Sequence, residues 1–274
     1  MLWLVRYVSQ LPRPPLDALV DDLYALTGTP PYARLLLPPM PSAVLIVNLG
    51  PPFVIRGRAY ADGVVISTLT AALDFAYPPG TRSVGVHFKP FGLAPFVGLP
   101  AAELRDEPVA LEDVWGRAAT AALRERLAAA PDPLALLEDE LRRRQRHADG
   151  LALVRHTSAA LEASGGAAAI GALTAAAGVS STYLTRRFRD LVGVTPKRLA
   201  RTYRFADAVR AIDPAGPIDW LEIAARGGYY DQAHFGNDFR AFTGLSPTRY
   251  LAVRRRFLRE HPGHALDVGP LPAE

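Results

Sequence analysis

Two stretches of this sequence carry polar side chains at spacings suited to reading a surface. In "STYLTRRFRDLVGVTP", residues 181–196, Leu184 and Phe188 lie about one helical turn apart, and at about 100° per residue the opposite face holds Thr182, Thr185, Arg186 and Arg189. In "QAHFGNDFRAFTGLSP", residues 232–247, the same projection turns Phe235 and Phe239 inward and Ala233, Gly236, Asn237 and Arg240 outward. An Arg can donate two parallel hydrogen bonds to a guanine edge, and an Asn can pair with an adenine edge, so Arg186 and Asn237 are the candidates for base contacts. Ala233 offers at most a thymine-methyl contact. Gly236 offers no side chain and costs about 1 kcal/mol of helix propensity relative to Ala, which a close backbone approach and neutral drift explain equally well. Arg189 and Arg240 fit either phosphate contact or solvated surface charge. Lys197 and Arg249, in the first turns after "VTP" and "LSP", are candidates for phosphate contact beside free backbone amides. Tyr183, Arg187 and His234 fall on the flanks, where packing or surface roles outweigh base contact.

The two stretches are copies of one unit. Ile170, Leu173 and Gly178 match Trp220, Ile223 and Gly228 at an offset of 50, while Leu184, Phe188, Gly193 and Pro196 match Phe235, Phe239, Gly244 and Pro247 at 51. A one-residue slip after the glycine is what a repeated helix-turn-helix tolerates, because the turn absorbs it while both helices keep their apolar faces. In each copy a short helix ends at Gly178 or Gly228, and Ser180 or Asp231 caps the next. Those helices bury Leu184, Phe188 and Leu191 in one copy and Phe235, Phe239 and Phe242 in the other. Thr195 and Ser246 stand before Pro as caps of the helices that follow. The helix from Pro196 to about Ile212 joins the copies; at 1.5 Å per residue it is roughly 25 Å long, on the scale of one DNA turn of roughly 34 Å.

On these residues the part from about 149 to 257 resembles the double helix-turn-helix domain of the AraC/XylS family of bacterial transcription regulators. "IAARGGYYDQAHFGNDFRAFTGLSPTRY" carries the similarity, with Ile223, Ala224, Gly228, Asp231, Phe235, Phe239, Gly244, Pro247 and Tyr250 in the expected places. "VGVHFKPFGLAPFVGLPAAEL" is similar, more weakly, to β-rich effector-like domains attached to some of these regulators. The resemblance implies a sequence-specific DNA-binding regulator whose partners are double-stranded DNA, a small-molecule effector, a second copy of the chain and RNA polymerase. It names no effector and no cofactor.

Charge points the same way. Residues 1–148 balance fifteen Lys and Arg against fifteen Asp and Glu, whereas residues 149–259 carry sixteen against nine. The excess of seven lies wholly in the part with the repeat, the footprint of a nucleic-acid binder and equally of a solvated basic surface. A length of 274 residues and a 49% hydrophobic composition suit two globular domains with a connector. Between Leu35 and Phe96, runs such as "AVLIVNL", "GVVIST" and "VGVHF" separated by "GPP", "ADG" and "YPPG" predict a β barrel or sandwich, with a helix at Leu16–Ala25 outside it. Helices follow over 111–130 and from Pro133, capped by Asp132, with Leu134, Leu137 and Leu141 as a stripe that packs on its own domain or forms a dimer seam. "RRRQR", 142–146, reads as a solvated face or a nonspecific DNA contact. The expected fold is α+β multidomain: a β-rich effector or dimerisation domain at 1–110, a helical linker at 111–148, an all-α double helix-turn-helix domain at 149–262, in which "ASGGAA" marks a loop, and a frayed tail at 263–274.

Other chemistries find little support. The chain has no cysteine, which removes disulfides, thiolate zinc sites and cysteine nucleophiles. His87 is the only histidine before His147, too thin an inventory for a metal site in the β-rich part. There is no Gly-rich phosphate loop and no Gly-x-Ser-x-Gly elbow. Asn48, Tyr60, His87 and Lys89 are lone pocket candidates, each better suited to strand core or surface. No catalytic residue and no metal ligand is assigned, and the chain is expected not to be an enzyme. Two rivals remain, a partner- or ligand-binding protein whose helix-turn-helix does not read DNA and a β-barrel enzyme fused to a DNA-binding module. "MLWLV" before Arg6 is far too short for a signal-peptide core or a spanning helix, so a cytoplasmic protein with no membrane partner is expected.

Overall fold

The computed structural model describes residues 5–261 and 271–272. Its N-terminal part is two antiparallel sheets with helices on one side. Strands β1 (Arg6–Gln10), β2 (Val20–Gly28), β4 (Ala43–Asn48), β7 (Gly63–Ile66), β9 (Thr81–Phe88) and β10 (Val109–Ala110) form one sheet in the order β1-β2-β9-β4-β7-β10. Strands β3 (Arg34–Leu37), β5 (Phe53–Ile55), β6 (Arg58–Tyr60), β8 (Leu73–Ala76) and β11 (Leu271–Pro272) form the other, in the order β11-β3-β8-β5-β6. Side chains alternate between the faces of a strand. Accordingly Ile46, Val64 and Ile66 of the first sheet meet Phe53, Ile55 and Phe75 of the second, while Leu45, Val65, Val84 and Val86 point the opposite way toward the helices.

Four differences from the sequence expectation appear here. Leu16–Ala25 is not a helix: Leu16–Ala18 make a single 3-10 turn and the chain then runs into β2, which pairs with β9 from Val20↔Phe88 to Gly28↔Thr81. Its apolar residues mimic a helical period because both faces of the strand are covered, Leu23 by helices and Tyr24 by the rings of Tyr7 and His87. The sheet therefore starts at Arg6, ahead of the expected Leu35. The segment 111–130 is two helices, α2 (Leu111–Trp115) and α3 (Arg117–Ala129), broken at Gly116 with φ 86°. The tail is not frayed throughout, since Leu271 and Pro272 pair with Leu36 and Leu35 of β3; the remainder of 263–274 lies outside the described residues.

The remaining helices are α1 (Ala94–Val97), α4 (Pro133–Arg144), α5 (Leu151–Ala163), α6 (Ile170–Ala176), α7 (Ser181–Val192), α8 (Pro196–Arg210), α9 (Trp220–Arg226), α10 (Gln232–Thr243) and α11 (Pro247–Glu260). Asp132 caps α4 by accepting from the Ala135 amide at 3.0 Å, and Leu134, Leu137 and Leu141 are buried against their own domain. One continuous apolar core runs from Leu16 in the β-rich part through Leu141 and Val154 to Leu184 and Phe188 of the first helix-turn-helix and Tyr203 of α8. The second helix-turn-helix has its own core around Phe205, Phe235, Phe239, Phe242 and Tyr250. Helix α8 serves both, giving Leu199, Ala200 and Tyr203 to the first and Phe205, Ala208 and Val209 to the second.

Candidate nucleic-acid interface

The repeat is a repeat in three dimensions. In the first copy the Val179 amide donates back to the Thr174 carbonyl at 3.1 Å, closing the end of α6; in the second the Tyr229 amide donates to the Ala224 carbonyl at 2.9 Å, closing α9. Both closures use a left-handed glycine, Gly178 at φ 63° and Gly228 at φ 67°, where any Cβ would crowd the carbonyl. The slip in register then has a physical identity. After Val179 the cap Ser180 follows at once, whereas after Tyr229 one residue, Tyr230, intervenes before the cap Asp231, and it is 92% exposed. It has been extruded from the turn.

The caps form as their residue types dictate. Ser180 Oγ accepts from the Tyr183 amide at 3.2 Å and Asp231 Oδ1 from His234 at 2.7 Å, starting α7 and α10. Thr195 accepts from the Arg198 amide and Ser246 from the Arg249 amide, each at 3.2 Å, starting α8 and α11. The last bond corrects an expectation, because the Arg249 amide is taken by its cap and is not free for phosphate. Leu184, Phe188 and Leu191, like Phe235, Phe239 and Phe242, are buried, which fixes the rotation of each second helix.

That rotation sets what faces outward. Thr182, Arg186 and Arg189 are exposed on α7 and Thr185 is half-buried; Ala233, Asn237 and Arg240 are exposed on α10 and Gly236 is half-buried. The side chains of Lys197 and Arg249 are exposed on the first turns of α8 and α11. A Cβ added at Gly236 would meet nothing within 4 Å, so no packing inside the chain requires glycine there. Tyr183 is held on the flank between two guanidinium groups, with Arg186 at 5.3 Å and Arg187 at 5.4 Å from its ring. Arg187 also lies 3.6 Å from Asp190, a packing role in keeping with its flank position. Projection from Leu184 and Phe188 missed the exposed first residues of the two helices, Ser181 and Gln232. Side chains in a first turn project along the axis as well as away from it, and Gln is an adenine reader like Asn.

Two arginines that the sequence did not single out hold the assembly together. Arg201 of α8 donates to Asp238 of α10 at 2.6 Å, tying the connecting helix to the second outward-facing helix. Arg198 donates to the Thr70 carbonyl of the β-rich part and lies 4.5 Å from the Phe242 ring. Burial, helped by the neighbouring Arg201, lowers the Arg198 pKa from the ordinary guanidinium value. By contrast "RRRQR" is neither freely solvated nor available throughout. Arg142 pairs with Asp139 at 2.9 Å and with Glu138, while Arg143 and Arg144 pair with Glu140, Arg144 at 2.7 Å and stacked 4.3 Å over Trp115. Burial works to raise the Glu140 pKa, but hydrogen bonds from Arg143, Arg144 and Arg126 outweigh it and hold that carboxyl below its usual range. Of the lone candidates in the β-rich part, Asn48 donates to the Gly50, Pro51 and Ala61 carbonyls, Tyr60 to Pro108 and Lys89 to Asp17. His87 lines a cavity between the sheets. No group of three His, Asp or Glu able to hold a metal ion occurs among the described residues.

Residues 173–253 match a family model described as a helix-turn-helix domain. The chain carries an AraC-type helix-turn-helix domain. With α6–α7 and α9–α10 as its two motifs, it makes the protein a DNA-binding transcription regulator. Residues 9–110, the β-rich part, match a model described as a domain of unknown function, DUF6597. Among solved structures the chain is similar to ToxT from Vibrio cholerae, at 10% identity and a TM-score of 0.45, over 83% of this chain and 97% of that one. It is also similar to a probable AraC family transcriptional regulator from Rhodopseudomonas palustris, at 28% identity and a TM-score of 0.34, over 38% of this chain and 96% of that one. The C-terminal domain of AraT, a response regulator from Geobacillus stearothermophilus, is 25% identical over 38% of this chain and 84% of that one, with a TM-score of 0.33. No curated protein matches the sequence. No helix among the described residues is long and apolar enough to cross a membrane.

Proposed function

We propose that the AraC-type domain, taken as residues 149–262, reads a specific DNA sequence by laying α7 and α10 in successive major-groove segments on one face of the duplex. The observation that carries this is the duplicated cap-and-core geometry, which leaves Thr182, Thr185, Arg186 and Arg189 on one helix and Ala233, Gly236, Asn237 and Arg240 on the other on the uncovered side. Helix α8 has fifteen residues and at 1.5 Å per residue spans roughly 22 Å, a scale that suits two motifs about one DNA turn apart. Arg186 and Asn237 are the base readers, and Arg189, Arg240, Lys197 and Arg249 position the protein on phosphate. The β-rich domain, residues 1–110, modulates binding through a small-molecule effector or a second copy of the chain, with 111–148 as the helical linker. Regulation then operates through RNA polymerase in the cytoplasm, and the protein performs no catalysis. The test is selection of binding sites from random DNA with the full chain. A recovered motif with two half-sites and a steep fall of affinity with salt, as several counterions are released, is the expected result; retention of DNA with no enriched sequence overturns it.

A further inference from the structure

Between the two sheets, at the end where β1, β2 and β9 face β3 and β8, lies a cavity of about 420 Å³. That is at the small end of the range of roughly 300 to 1,000 Å³ typical of small-molecule sites. Its walls are flat rings and aliphatic side chains. Tyr7, Tyr24 and His87 form a stack, with centroids 5.6 and 4.6 Å apart and ring planes within 22° of parallel, and Tyr77 and Phe75 stand on the second sheet 4.6 Å apart. The Tyr24 ring passes over Gly85, where an added Cβ would lie 2.4 Å from it, so the glycine makes room for the ring. No Lys, Arg, Asp or Glu lines the cavity among the described residues. A bound carboxylate, phosphate or ammonium would be stripped of water with no opposite charge to meet it, which is costly.

The polar atoms in the walls have a defined sense. The hydroxyls of Tyr24 and Tyr77 have no hydrogen-bond partner among the described residues, although Tyr24 is only 6% exposed. Burial, with the Tyr77 and Tyr7 phenols nearby, holds Tyr24 well above the ordinary phenol range; burial does the same for Tyr77, so both remain donors. Across the stack, His87 Nδ1 lies 2.9 Å from the Asp22 carboxylate, which can only accept. In the tautomer that carries its proton on Nδ1, facing Asp22, Nε2 is an acceptor. A single ligand hydroxyl satisfies both senses, accepting from a tyrosine and donating to His87.

One wall also touches the DNA-binding domain from behind. Tyr32, which lines the cavity, contacts the Phe257 ring of α11 at 5.6 Å between centroids, and Leu36 of β3 packs into the core of the second motif. We propose that this cavity binds an uncharged aromatic ring bearing a hydroxyl, a small phenol, and that occupancy reaches the second helix-turn-helix through the Tyr32–Phe257 contact. The inference rests on the reading of the β-rich part as an effector domain and names the ligand class.

Calorimetric titration of the full chain with 4-propylphenol and 4-phenylphenol, beside 4-propylbenzoate, 4-phenylbenzoate and 4-propylbenzylammonium, tests it. At least one phenol is expected to bind saturably, one per chain, and at least about tenfold tighter than any charged analogue. Tyr24→Phe or Tyr77→Phe, whichever hydroxyl donates, weakens that binding about fivefold without lowering the Tm of the free protein, and Val44→Trp, which fills the cavity, abolishes it. The phenol shifts affinity for the selected DNA site severalfold, and Phe257→Leu removes the shift while leaving phenol affinity intact. No saturable phenol binding, tightest binding by an anion or the cation, binding indifferent to all three cavity variants, or no effect on DNA affinity would each overturn the proposal. DNA retention by the same samples without ligand separates the two readings: if it persists while phenols fail, only the ligand inference falls, and if it is lost, the regulator reading falls too.

Discussion

Arg186→Ala should cost sequence discrimination and almost nothing else. The guanidinium is exposed, has no carboxylate partner among the described residues and touches only the flank of Tyr183, so its removal leaves the buried face of α7 at Leu184 and Phe188 intact. Surface substitutions of this kind change stability by about 0.5 kcal/mol or less, and Tm is expected to move by about 1 °C at most. A bidentate contact to a guanine edge is worth about 1 to 3 kcal/mol, which is roughly a five- to 150-fold rise in Kd for the selected site. Binding to a scrambled site of the same length should fall far less, because phosphate contacts supply most of it. Asn237→Ala is the matched comparison, equally exposed on α10, but with Ala233 and Gly236 beside it in place of Thr182 and Thr185. It should cost less than Arg186→Ala, and the exposed Gln232 at the start of the same helix is the side chain best placed to narrow the gap. Fluorescence anisotropy with both variants on both duplexes at one salt concentration measures all four affinities. Equal losses, or a larger loss for Asn237→Ala, would refute the ranking, and equal losses on specific and scrambled DNA would move Arg186 to the phosphate class.

Three further outcomes are expected. Ser180→Ala and Asp231→Ala each remove an N-cap and should lower stability by about 1 kcal/mol in thermal melts, the aspartate more because its 2.7 Å bond is charge-assisted. Gly193 and Gly244 end α7 and α10 at φ 86° and 75°, yet a Cβ at Gly193 would lie 2.9 Å from the Ala101 carbonyl oxygen while one at Gly244 meets nothing within 4 Å. Gly244→Ala should therefore cost about 1 kcal/mol from backbone strain alone and Gly193→Ala at least about 1 kcal/mol more; equal costs in urea unfolding would mean that the first motif is not seated on the β-rich part. Residues 149–262 expressed alone should bind the selected site at low salt but melt below the full chain, because the first motif shares its core with Phe96, Val97 and Leu104. A folded fragment without DNA affinity would sink the assignment of binding to that span.

Local chemistry fixes the repeat, and the repeat was readable. Cap residues, left-handed glycines and one-turn apolar spacing act within a few residues of themselves, so Ser180, Asp231, Gly178, Gly228 and the Leu184–Phe188 and Phe235–Phe239 faces follow from residue order, as does the position of the inserted residue near Tyr230. The outward sets on α7 and α10 are consequences of those buried faces. Decisions made between distant segments were not readable in this way. Residues 16–25 have a helical apolar period, yet sheet pairing with β9 and cover on both faces make most of them a strand. The pairing of "RRRQR" with Glu138, Asp139 and Glu140 is a different case, since these partners lie three and four residues away on one helix and were within reach of the sequence. No spacing announces that the first motif shares its core with a β-sheet, or that Tyr24, Tyr77 and His87, over fifty residues apart at the extremes, line one cavity. Sequence by itself determined the motifs and which faces they bury, because those energies are short-ranged along the chain; only the tertiary structure decided what the motifs rest against and what the β-rich part encloses, because those energies belong to surfaces that meet only once the chain has folded.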